Sequence, residues 1–115
     1  MTRTEAAANL EAARAEVARL EAAVRAHQRA HYEGDAMATP FDQQREEAGK
    51  ALMAAADAMF AAEWTAEVFA ARRAEWNKRA LAAGKSMNMH LARKWEAELG
   101  FRLDDLKRAK AMHTA

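Results

Sequence analysis

The sequence predicts an all-α protein, and three observations predict it. Alanine supplies 33 of the 115 residues, isoleucine is absent while valine and threonine together number only 8, and one proline stands in the whole chain. Alanine is the strongest helix former, β-branched side chains are those that strands favour, and proline is the main interrupter of helices. Leu, Val and Phe amount to about 13% of the chain, under the roughly 20% below which disorder sets in for highly charged sequences. Here the formal net charge is only +1, so a helical protein with a thin core is expected. The length suits one domain, residues 1–115.

Each helix carries its own punctuation. Thr2 and Glu5 have capping-box spacing, and nothing interrupts a helix from there to Glu33. Leu10, Val17 and Val24 fall in one heptad position and Leu20 in the other, with Ala6, Ala13, His27 and His31 completing the two rows. This seam predicts a coiled-coil-like arm that is weak alone, because alanine pairs bury little area. It is the expected first arm of an antiparallel hairpin and a candidate homodimer contact.

Gly34 has the character of a residue just past a helix end, and residues 34–39 read as a loop. Thr39 then caps a helix with Pro40 in its first position and Asp42 in its third. No strong stop follows before Gly84, although Gly49 and Thr65 are soft spots. At about 100° per residue, Phe41, Leu52, Ala56, Met59, Phe60 and Trp64 share one sector, while Phe69 and Trp76 lie nearly opposite. A helix that changes face is changing partners, or is kinked between Glu63 and Val68. Ser86 is expected to cap a shorter helix ending at Leu99 and Gly100, and a last helix to run from Phe101 to His113. The architecture expected is thus about four helices: an N-terminal hairpin sharing a long central helix with a C-terminal cluster of short helices.

Charge divides the chain near the point where the apolar face turns. Residues 1–67 hold 7 Lys/Arg against 12 Asp/Glu, and residues 68–115 hold 11 against 5. An acidic hairpin half and a basic head of opposite potential are expected.

The basic head is the leading functional signal. Arg72, Arg73, Lys78 and Arg79 surround Trp76, Arg93 and Lys94 adjoin Trp95, and Arg102, Lys107, Arg108 and Lys110 follow. Cations neutralise phosphates and exposed indoles stack on bases, so Arg72, Arg73, Lys78, Arg79, Arg93, Lys94, Lys107 and Arg108 are the candidate contacts to nucleic acid. Burial of Trp76 and Trp95 as core anchors is the competing expectation. A helix-turn-helix over residues 77–99 would need apolar packing at Arg79, Lys85, His90 and Arg93, so that motif fails.

Other chemistry has little foothold. His27 and His31, spaced i, i+4, could share a metal with Asp35 as third ligand, but Gln28–Arg29–Ala30 between them is no metalloprotease pattern and Arg29 repels a cation. They are expected to be structural, with no metal or cofactor required. Met87, Met89 and His90 could be drawn as a copper site, but methionines at helical spacing read as core filler, since they fill gaps. Cysteine is absent and Ser86 is the one serine, so nucleophilic catalysis has no basis. Adjacent carboxylates such as Glu46–Glu47 and Asp104–Asp105 point about 100° apart on a helix and form no acid–base dyad. No membrane span or signal segment is apparent.

The reading is a small cytoplasmic, non-enzymatic interaction protein whose basic half binds nucleic acid or a nucleoprotein complex. The alternative is a protein-binding inhibitor or adaptor, such as a phage-type anti-defence or assembly accessory factor, working through the acidic hairpin.

Overall fold

The computed structural model describes residues 1–30 and 39–114, so Gly34 and most of the expected loop lie outside the described residues. Five α-helices and one 3-10 turn make up the described residues, with no strand among them: α1 (Arg3–Ala30), α2 (Asp42–Glu63), α3 (Ala66–Ala83), the 3-10 turn Gly84–Ser86, α4 (Met89–Leu99) and α5 (Leu103–His113). The chain divides into two units, Met1–Glu63 and Trp64–Ala115.

The first unit is α1 packed on α2. The Thr2 hydroxyl accepts the Glu5 backbone N–H at 3.1 Å and starts α1, as the capping-box spacing predicts. Every described residue of the heptad seam is at least half-buried, and Ala6, Leu20 and Val24 are buried outright. His27 meets Phe41 edge-on at 6.3 Å, and Glu21 pairs with Arg45 at 3.1 Å. Val17 and Leu20 share a small void of about 130 Å³ with Ala48, Gly49 and Leu52. Partners descend along α1 as they ascend along α2, so the two helices run antiparallel. The seam is therefore covered by α2 of the same chain.

At the start of α2, Thr39 and Asp42 cap each other. Thr39 donates its N–H to Asp42 Oδ2 at 3.0 Å and its hydroxyl to Oδ1 at 2.7 Å. These two bonds, the hydroxyl first, hold the Asp42 carboxyl below its ordinary 3.8. Regular helix begins at Asp42, two residues beyond Pro40, with Pro40–Phe41 forming the turn that leads in.

The long central helix expected over residues 40–84 is two helices. The Thr65 hydroxyl accepts the Val68 N–H at 3.2 Å and Thr65 is extended (φ −65°, ψ 166°), which makes it the N-cap of α3. The preceding carbonyl of Trp64 takes a bond from His113 Nε2 at 2.8 Å, a partner 49 residues away. A tertiary bond and a cap have replaced the helical turn. Trp64, grouped by its sector with the hairpin residues, is 2% exposed and packs edge-on against Phe101 of the second unit at 5.8 Å.

The second unit closes around aromatic rings. Trp76 lies edge-on to Trp95 at 5.3 Å and tilted over Phe101 at 6.2 Å, while Phe69 stacks on His113 at 5.5 Å. Ala92, Leu106 and Ala109 are buried with them. Phe69 and Trp76, the residues outside the hairpin sector, are the α3 contribution to this core.

Two boundaries here differ from expectation. Ser86 sits in the 3-10 turn, and the cap of α4 is Asn88, whose Oδ1 accepts the Leu91 N–H at 2.9 Å. Helix α5 opens at Leu103, because Phe101 turns inward to the core and Glu96 of α4 accepts the Leu103 N–H at 2.8 Å. Gly100 ends α4 as expected, at φ +79°.

Candidate anion-binding cleft

The eight predicted contact residues do not form one surface, and the structure sorts them by what each side chain touches. Arg72 is half-buried, its guanidinium carbon 4.5 Å from the Trp64 ring centre and 5.4 Å from that of Phe101. It belongs to the aromatic core. Arg79 bonds Glu98 of α4 and lies 3.6 Å from Glu75. Arg93 pairs with Glu96 at 2.9 Å, and Lys94 approaches Glu98 at 3.9 Å. Three of the predicted phosphate contacts are therefore already neutralised by carboxylates. Lys78 and Arg108 are exposed outside any cleft described below.

Arg73 and Lys107 are brought together. Along α3, Phe69, Arg73, Trp76 and Asn77 recur at i, i+4, i+7 and i+8, which is one helical face. Along α5, Leu103, Leu106, Lys107 and Lys110 recur at i, i+3, i+4 and i+7. These eight residues line one cleft of about 370 Å³. The inner positions are apolar, as packing two helices requires. The outer positions, where further apolar contact would zip the helices shut, carry Arg73, Asn77, Lys107 and Lys110 instead.

No carboxylate is among the lining residues, and none of Arg73, Lys107 and Lys110 forms an ion pair with a described residue. Arg73 is steadied by the Phe69 ring, 5.4 Å from its guanidinium carbon. Three like charges gathered on a concave, partly apolar surface repel one another and focus a positive potential into the cleft. An anion relieves that repulsion.

Lys110 and Asn77 complete the cleft although neither is among the eight candidates. Lys110 lies three residues after Lys107, a spacing visible in the sequence. Asn77 gives no sequence signal, since only the approach of α5 distinguishes it from an ordinary surface amide.

The indoles are not exposed platforms: Trp64, Trp76 and Trp95 are 2%, 5% and 7% exposed. The core-anchor expectation for Trp76 and Trp95 holds, and the stacking one does not. Of the metal candidates, His31 and Asp35 lie outside the described residues, and His27 is engaged with Phe41. Among the described residues no group of three or more His, Cys, Asp or Glu side chains could hold a metal ion. No helix among them is long and apolar enough to cross a membrane. Met87 is half-buried whereas Met89 is exposed, so the core-filler reading fits only the first of the two methionines.

Comparison with known proteins gives no family model, no curated protein and no solved structure that matches this chain.

Proposed function

We propose that this is a small non-enzymatic helical interaction protein whose basic C-terminal unit binds nucleic acid, alone or within a nucleoprotein complex, by neutralising phosphates. The observation that carries the reading is the α3–α5 cleft, with three cations and no acid in its lining. Residues 64–115 hold 11 Lys/Arg against 6 Asp/Glu, so the unit around the cleft is itself cationic. The acidic unit offers less to a basic partner. Glu11, Glu16, Glu21 and Glu46 are each occupied by an arginine or lysine of the same unit, at 3.4, 2.6, 3.1 and 3.4 Å. With the indoles largely buried, charge supplies the greater part of the affinity, and sequence discrimination is low.

A binding titration over a salt series tests this. Three phosphate contacts give a slope of log K against log salt of about −2 on a single strand and about −3 on a duplex. Stoichiometric co-purification with a protein, together with no nucleic-acid binding at low salt, would replace this reading with that of an inhibitor or adaptor acting through the hairpin.

A further inference from the structure

We infer that the α3–α5 cleft is a seat for one nucleotide of a single strand, with its base against the apolar floor and the strand's phosphates along the cationic rim. The inference rests on the nucleic-acid reading above and narrows it. Non-specific phosphate neutralisation needs only exposed cations, and Lys78 and Lys85 on the same unit are exposed and do not line this cleft. The seat differs from them in shape and in chemistry. It is concave, its volume of about 370 Å³ falls in the range of small-ligand sites, and its floor is Phe69, Trp76, Leu103 and Leu106.

A ligand with an anionic end and a flat apolar body fills both parts. The Asn77 side chain shares the cleft with the three cations and is exposed. Its amide offers a donor and an acceptor side by side, the pattern that the edge of a base requires. A base paired within a duplex presents neither its face nor its full edge, and extracting it costs free energy that an unpaired base does not. The cleft therefore favours a single strand.

The experiment compares a fluorescently labelled single-stranded oligonucleotide, the corresponding duplex and heparin on the full chain at matched salt. Adenosine and uridine 5′-monophosphate serve as competitors. The expected result is single-strand binding about tenfold tighter than duplex binding, displacement by mononucleotide, and quenching of Trp76 fluorescence. Asn77→Ala should weaken the single strand several-fold and leave duplex binding and the salt slope unchanged. Arg73→Ala/Lys107→Ala should flatten the single-strand salt slope by about 1.4, while Lys78→Ala/Lys85→Ala, which removes the same charge outside the cleft, should alter it much less.

Equal binding of strand, duplex and heparin with no effect of Asn77→Ala overturns this inference and leaves the polyanion reading standing. Equal losses from the two double variants overturn it as well. Absence of binding to all three probes at low salt overturns both. Far-UV circular dichroism checks folding of each variant, and if Arg73→Ala/Lys107→Ala unfolds, the Asn77→Ala arm decides.

Discussion

The guanidinium of Arg72 lies 4.5 Å from the centre of the Trp64 ring, which commits this cation to the core of the second unit while its sequence neighbour Arg73 faces the cleft. Adjacent residues on a helix point about 100° apart, and that rotation separates a structural arginine from a ligand-binding one. A cation over an indole contributes about 0.5–2 kcal/mol, and the arginine stem adds packing. Arg72→Ala is expected to lower stability by about 2 kcal/mol, read as a fall in the denaturation midpoint. Arg73→Ala should leave that midpoint nearly unchanged and weaken binding instead. Equal effects of the two on nucleic-acid affinity in folded protein would contradict the division.

Acid should loosen the junction of α4 and α5. The Leu103 N–H, and after it the Arg93 guanidinium, hold the Glu96 carboxyl below its ordinary 4.5. A carboxyl with a depressed native pKa contributes stability above its unfolded value and loses it as pH falls through the native one. Stability is therefore expected to decline below pH 4.5, and Glu96→Gln should flatten that decline while lowering stability at neutral pH. Urea melts of the two proteins across pH 3–7 measure both effects.

Two glycines should respond in opposite directions to alanine. Gly49 is inside α2, and a Cβ there would meet nothing within 4 Å. Gly49→Ala should stabilise by up to about 1 kcal/mol, because glycine loses more backbone freedom in a helix. Gly100 also has open space, but its φ of +79° strains any other side chain, so Gly100→Ala should destabilise by about 1 kcal/mol or more. Thermal denaturation of both variants gives the signs directly.

His113 ties the end of α5 to the start of the second unit through the Trp64 carbonyl and the Phe69 ring. Removing the ring leaves a part-buried carbonyl without that partner, a loss of about 1–3 kcal/mol. His113→Ala should therefore speed hydrogen exchange around Trp64–Val68 more than at the middle of α1. Unchanged exchange at that junction would show that the bond does not hold it.

The helical class, the α1 seam, the caps at Thr2 and Gly100 and the change of apolar face near Glu63 were legible in the sequence, because each depends on residues within a turn or two of one another. The break at Trp64–Thr65 announced itself only as a choice between a kink and a change of partner. A helix continues through a weak cap unless something distant competes for its carbonyls, and here His113 does so. The sorting of the cations was hidden for the same reason. Arg72, Arg73, Arg79 and Lys107 are equivalent as positive charges, and only the approach of α4 and α5 decides which of them meets a carboxylate, which an aromatic ring, and which an open cleft. Helix and seam are set by local backbone preference and periodicity. The surroundings of a charge are set by residues far along the chain, so they exist only once the helices have packed.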